Sequence, residues 1–187
     1  MYVGGNTNTS TFLISYKHYY TIFFYKIQPN KTNLYIFLIE EIPSQLQKHE
    51  KRFSFNAIQK DARYRDYKEA FFWLQESMIV NIAYNTTEPN IGLRLNRESS
   101  ALKCYMGDTG LLISLAFNEK GLVDEEIYKK ILFNKLSFNE GMIMENIVAQ
   151  MLTATGKKLY FYFNYDKKDS LNNMEIDFLI TKSKITS

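Results

Sequence analysis

Cysteine is almost absent from this sequence of 187 residues, which contains a single one, Cys104. One cysteine cannot form a disulfide within the chain, so no internal covalent cross-link is available to the fold. The surrounding pattern places Cys104 in a strand. We therefore expect a structural thiol and a protein of a reducing compartment.

Long apolar runs are also missing. A membrane-spanning helix needs about 20 consecutive apolar residues, and the nearest approach, residues 12–27, is interrupted by Lys17, His18 and Lys26. No basic residue precedes the first apolar run, which argues against a secretory signal. We predict a cytoplasmic protein with no membrane partner.

The sequence has neither a strong charge excess nor a phosphate-binding loop. It contains 23 basic and 20 acidic residues, a formal charge of +3, which is too small to indicate nucleic-acid binding without local clustering. The P-loop pattern G-x-x-x-x-G-K-[S/T] does not occur. We therefore predict no ATP site in this chain.

The sequence does contain enough apolar residues for a globular core, at 45% hydrophobic and 16% aromatic content. Its best-defined stretch is residues 102–115. Alternating apolar residues predict a strand, Gly107-Asp108-Thr109-Gly110 predicts a tight turn with Asp108 or Thr109 as N-cap, and residues 111–115 predict a helix. We interpret the stretch as a packed hinge between two modules, although turn chemistry alone also explains its polar residues.

Residues 38–106 have the pattern of three helices followed by a strand hairpin. Pro43 falls near the predicted start of the first helix, with Leu46 on its buried side, and Ser54 is predicted to cap the second. The third is the strongest, with an apolar stripe at Tyr64, Tyr67, Phe71, Leu74 and Met78. This order of elements is typical of a winged helix.

The third helix also carries basic side chains. A winged helix often places its third helix in a DNA groove, where Arg63, Arg65 and Lys68 would contact phosphates. The alternative is that these charges form a solvated helix face and that the module packs against protein, since four acidic residues on the same segment would repel a phosphate backbone. Both hypotheses stay open at this point.

Residues 107–187 contain a second predicted unit. A connector holds a short helix over residues 125–132, and a longer helix starts at Gly141 and is capped by Gly156. Its apolar stripe consists of Ile143, Met144, Ile147, Val148, Met151 and Leu152. Strands are predicted over residues 158–165 and 175–180, with Glu175 and Asp177 on the side opposite to Phe178.

Three carboxylates of this unit form a candidate catalytic and metal site. Glu145 lies at the edge of the helix stripe, and Glu175 and Asp177 share one side of the last strand. Carboxylates from a helix and a strand can hold a divalent metal such as Mg²⁺ for phosphodiester cleavage. The alternative is structural, with Glu145 bonding a strand end and Asp177 a turn amide.

Five blocks of the sequence, in the same order, resemble the C-terminal region of prokaryotic AAA-type ATPases that carry the domain of unknown function 4143. The blocks are IPSQL at 42–46, KRFSFNAIQKDARYRDYKEAFFWLQES at 51–77, LKCYMGDTGLL at 102–112, GMIMENIVAQML at 141–152 and EIDFLI at 175–180. The resemblance implies a winged helix followed by a restriction-endonuclease-like α/β domain. It also implies that residues 1–37 are a remnant of the ATPase core.

By position, the resemblance makes Glu145 the first-helix glutamate, Asp177 the strand aspartate and Glu175 the acid that precedes it. The glutamate-x-lysine of the family's following strand has no match, because the chain ends in TKSKITS. Lys182 and Lys184 fall in a predicted turn and are not assigned that role.

These departures lead to our prediction of an α/β (α+β) chain with a poorly defined segment 1–37, a winged-helix-like domain 38–106 and a truncated nuclease-like domain 107–187. We predict a non-catalytic module of an AAA-type ATP-binding protein, with the ATPase core, another protein or DNA as partner. The alternatives are a Mg²⁺-dependent DNA nuclease using Glu145, Glu175 and Asp177, and a winged-helix DNA-binding module.

Overall fold

The computed structural model describes residues 29–48, 50–90, 92–117, 140–165, 171 and 173–181. They form a mixed α/β structure, as predicted. Its helices are α1 (Thr32–Leu46), α2 (Tyr64–Glu76), α3 (Thr109–Phe117) and α4 (Glu140–Ala154), and its strands are β1 (Val80–Thr86), β2 (Arg97–Met106), β3 (Leu159–Asn164) and β4 (Met174–Leu179). Two short 3-10 helices are Pro29–Lys31 and Phe55–Ala57. Among the described helices, none has the length and apolar content needed to cross a membrane.

The four strands form one sheet in the order β2-β1-β3-β4. β1 pairs antiparallel with β2 and parallel with β3, and β3 pairs antiparallel with β4. The sheet takes two strands from residues 38–106 and two from residues 107–187, and one core cluster includes residues of both ranges. The predicted division into a winged helix and a nuclease-like domain stays a prediction, and the connector helix at 125–132 lies outside the described residues.

The strand, turn and helix at the centre of the sequence are confirmed. β2 ends at Met106 and α3 begins at Thr109. The Asp108 carboxylate accepts a hydrogen bond from the backbone N–H of Leu111 at 2.7 Å, so Asp108 is the N-cap. Local turn chemistry was sufficient to identify this corner.

The first helix differs from its prediction. Pro43 lies near the end of α1 and not near its start, because the helix already begins at Thr32. Proline has no N–H for the carbonyl four residues earlier, and α1 ends three residues after it, with Leu46 buried as predicted. Ser54 occupies the N-cap position of the second 3-10 helix, but its side chain makes no capping bond there.

The buried face of α4 was predicted only in part, since Ile147 and Leu152 of the predicted stripe are partly buried against the core. Ile143 is buried, but Met144, Val148 and Met151 of the predicted stripe are exposed. The face that packs inward consists of Met142, Ile143, Asn146 and Ala149. Periodicity missed this face because Asn146 is polar, and its amide is buried against backbone groups of β2.

A β-bulge in β4 changes which side chains share a face. Tyr160 pairs with Leu179, whereas Tyr162 pairs with Ile176, so one extra residue of β4 lies between these pairs. Asp177 contacts Lys103 of β2, and the ring of Phe178 lies 5.4 Å from that of Tyr105, two residues further along β2. Asp177 and Phe178 therefore face the same side of the sheet, and the prediction of opposite sides was wrong.

Helix α2 ends in a Schellman motif in which Met78 takes the positive-φ position, a strained conformation for a residue other than glycine. Ile79 N–H bonds to the Leu74 carbonyl and Met78 N–H to that of Gln75, with Met78 at φ 57°. The sequence assigned Met78 to the apolar stripe, but the residue is 83% exposed. Met78 is therefore a strained cap residue without a packing role.

We expect Met78→Gly to stabilise the protein by about 1 kcal/mol, because glycine adopts positive φ without steric penalty and no buried contact is lost. Urea unfolding followed by circular dichroism measures the change. Gly156→Ala is the matched control, since Gly156 has the equivalent position after α4, with φ 76°. A Cβ added to Gly156 would meet no other atom within 4 Å. Gly156→Ala should lower stability, whereas Met78→Gly should raise it. If both substitutions change stability in the same direction, Met78 is not strained.

Candidate functional site

A pocket of about 420 Å³ opens between the end of α1, the loop after it, the first turns of α4 and strand β4. The three candidate carboxylates, Glu145, Glu175 and Asp177, all line it. Lys48 and Lys51 line it from the loop. Lys48 and Asp177 are 129 positions apart in the sequence, so distant parts of the chain meet in one concave surface.

Lys103 is the central residue of the site, and sequence analysis did not select it. Its side chain is only 1% exposed, and its ammonium donates hydrogen bonds to Asp177 Oδ1 at 2.8 Å and to Glu175 Oε1 at 3.0 Å. Lys103 and Tyr105 alternate in β2 with the apolar Leu102, Cys104 and Met106. A lysine in a strand that is buried on both faces needs an acidic partner. This requirement could have identified Lys103 from the sequence.

The charge of Lys103 is maintained by its partners. Burial disfavours the ammonium, but the hydrogen bonds and the charges of Asp177 and Glu175 outweigh burial and raise the pKa of Lys103 above its ordinary value. The ring of Phe161 also lies below the ammonium, with its centroid 5.1 Å from Nζ. The partners of Lys103 therefore favour its charged form beside the two acids of β4.

A second lysine neutralises the third carboxylate. Lys51 forms an ion pair with Glu145, and both side chains are mostly buried. Tyr105 donates its hydroxyl hydrogen to the other oxygen of Glu145 at 3.3 Å. Burial, reinforced by the negative charge of Glu145, raises the pKa of Tyr105, so its hydroxyl stays a donor. Glu145 thus bonds the side chains of Lys51 and of Tyr105, the next-to-last residue of β2.

The carboxylates do not combine into a ligand set for Mg²⁺. Among the residues that the structure describes, no three side chains of the metal-binding types come together to hold an ion. Lysine ammonium groups contact the oxygens that Mg²⁺ would need, and a divalent cation prefers several free oxygen ligands. The residues present therefore do not fit a divalent cation in this arrangement.

The basic residues proposed for DNA contact lie apart from this pocket, at the start of α2. Arg63, Arg65 and Lys68 are all exposed. Asp66 lies among them, accepting the backbone N–H of Arg63 at 3.0 Å and lying 3.5 Å from the guanidinium of Arg65. The three basic side chains lie on the surface, but Arg65 already forms an ion pair with Asp66.

Cys104 is fully buried in β2, on the face opposite to Lys103. Burial raises the pKa of its thiol and disfavours the reactive thiolate. A structural role for Cys104 agrees with the prediction.

A protein-family model described as Domain of unknown function (DUF8612) matches residues 25–121, just over half of the chain. Comparisons with curated proteins and with solved structures give no match. The matched range includes α1, α2, β1, β2 and α3, and with them Lys51 and Lys103. Glu145, Glu175 and Asp177 lie beyond it, and the resemblance to AAA-type ATPases stays a prediction. On the extent of this match, the chain belongs to the family Domain of unknown function (DUF8612).

Proposed function

We propose that this chain is a non-catalytic module that acts by binding a macromolecular partner. The observation that supports the proposal is the pairing in the pocket, where every candidate catalytic carboxylate contacts a lysine. A hydrolytic metal site needs carboxylates that are free to coordinate an ion. Here the three carboxylates pair with two lysines within the protein.

The partner class that we propose is the core of an AAA-type ATPase, or another protein of the same assembly. The support is the order of the five sequence blocks that resemble the C-terminal region of those ATPases. A module without a P-loop would contribute binding and not nucleotide hydrolysis. This proposal concerns the chain's partner and assigns it no reaction.

The proposal is tested with supercoiled plasmid DNA, incubated with the purified chain in the presence of Mg²⁺ and then of Mn²⁺. We expect no cleavage above the background of an Asp177→Asn variant prepared in parallel. Gel electrophoresis distinguishes nicked from intact plasmid. Metal-dependent cutting that Asp177→Asn abolishes would overturn the proposal.

A metal-dependent DNA nuclease is the second candidate. It is favoured by the convergence of Glu145, Glu175 and Asp177 on one pocket. It is also favoured by Lys103, which places a lysine beside the acids although the lysine of the family's following strand has no match in this sequence. For this function the carboxylates would have to give up their lysine contacts to bind Mg²⁺, an arrangement different from the one described above. The plasmid experiment decides between the two candidates.

A DNA-binding module is the third candidate, supported by the exposed group of Arg63, Arg65 and Lys68. Binding through phosphates weakens with salt, with a slope of about 0.9 in log affinity per contact. Fluorescence anisotropy with a labelled duplex, measured for the wild type and for a triple alanine variant, detects the effect. An affinity that does not change with salt or with the substitutions would eliminate this candidate.

A further inference from the structure

The side chain of Lys103 connects the two edges of the described sheet. Lys103 lies on β2, and its partner across the pair with β1 is Ala83, which has a small side chain. The ammonium then passes over the ring of Phe161 in β3. It ends between Glu175 and Asp177 on β4. One lysine therefore reaches across the sheet to bind two acids.

The acids themselves remain partly hydrated. Their side chains are 34% exposed for Glu175 and 47% exposed for Asp177, whereas that of Lys103 is 1% exposed. Each carboxylate therefore has an inner side toward the ammonium and an outer side toward the pocket. A cation entering from the pocket would approach the acids from the hydrated side and meet the positive charge of Lys103 behind them.

We infer that Lys103 is an internal counter-ion that occupies the cation position between Glu175 and Asp177 and thereby excludes divalent cations from the pocket. This inference rests on the proposed non-catalytic function. Lys51 has a lesser role, since it lies on a loop and neutralises a single carboxylate, Glu145. The property that distinguishes Lys103 is its position on a strand, buried and bonded to two acids at once.

Removing this charge should open the pocket to a metal. Lys103→Met keeps nearly the length of the side chain but leaves Glu175 and Asp177 without their cation. Two neighbouring carboxylates attract hard divalent cations such as Mn²⁺ and Ca²⁺. We expect the variant to bind Mn²⁺ roughly tenfold or more tightly than the wild type, because repulsion between the ion and a fixed ammonium is lost.

The experiment is titration calorimetry with Mn²⁺ on the full chain, with thermal unfolding in the presence and absence of Mn²⁺ as a second measurement. Lys103→Arg retains the charge and should not bind. Lys51→Met is the matched control, since it frees only one carboxylate. Adding Asp177→Asn to Lys103→Met should abolish the new binding. Circular dichroism establishes that each variant is folded, and Lys103→Gln replaces Lys103→Met if the latter is not.

Each outcome has a distinct meaning. Mn²⁺ binding that appears in the uncharged Lys103 variant and disappears with Asp177→Asn supports the inference. A folded variant that binds no Mn²⁺ overturns the inference but leaves the proposed function standing. Tight binding by the wild type without plasmid cleavage also overturns only the inference. Wild-type binding together with cleavage that Asp177→Asn abolishes overturns both.

Discussion

Replacing Gly107 with alanine is expected to destabilise the protein by about 3 kcal/mol or more, since backbone must move to admit the new atom. Gly107 follows β2 and donates its N–H to the carbonyl of Ile79 at 2.8 Å. A Cβ at this position would lie well inside van der Waals distance of the Met78 carbonyl oxygen and 3.1 Å from that of Ile79. Both neighbours are main-chain atoms and cannot rotate away. Urea unfolding at constant temperature measures the loss.

Gly141→Ala is the matched control for Gly107→Ala. Gly141 is exposed in α4. A Cβ added to Gly141 would lie 3.7 Å from Lys51 Nζ, an ordinary van der Waals contact. Alanine favours helix over glycine, so this variant should gain about 0.5 to 1 kcal/mol. Similar destabilisation in the two variants, or none at Gly107, would show that the turn does not approach Met78 so closely.

Replacing Asn146 with alanine is the second change with a large expected effect. The Asn146 amide oxygen accepts the N–H of Met106 at 2.8 Å, and its nitrogen donates to the Met106 carbonyl at 3.2 Å and to Thr109 Oγ1 at 2.9 Å. The side chain is fully buried. Alanine leaves these groups without their partner, at a cost of about 3 kcal/mol or more.

The same amide joins α4 to the corner between β2 and α3, so its loss should loosen the contact between these elements. Thermal and urea unfolding measure stability, and amide hydrogen exchange at Met106 reports the local effect. Thr153→Ala, an exposed position on the same helix, should change stability by less than about 0.5 kcal/mol. If Asn146→Ala behaves like this control, the amide makes no net contribution.

Elements specified by neighbouring residues could be predicted from the sequence. The corner from Met106 to Thr109 depends on a strand pattern, a glycine turn and an aspartate cap, all within a few positions. The helix α2 follows from a clear period of apolar residues. The glycine cap after α4 was also predicted, because Gly156 can adopt positive φ without strain.

The errors arose where distant contacts decided the outcome. Asn146 lies on the inner face of α4 only because Met106 offers it two backbone groups. Met78 was counted as core because its spacing fits the stripe, yet α2 ends before it. The bulge that turns Asp177 and Phe178 to one side is a property of the pairing between β3 and β4. Neighbouring residues in the sequence do not indicate any of these three features.

The sequence by itself determined the α/β class, the central corner and the choice of Glu145, Glu175 and Asp177 as candidate site residues. These conclusions depend on periodicity and on residue chemistry, which act over short stretches. Only the tertiary structure decided that Lys51 and Lys103 contact those acids. Ion pairs between residues 72 to 94 positions apart form when the sheet order brings their strands and loops together. The ion pairing in the pocket is therefore a consequence of the fold as a whole.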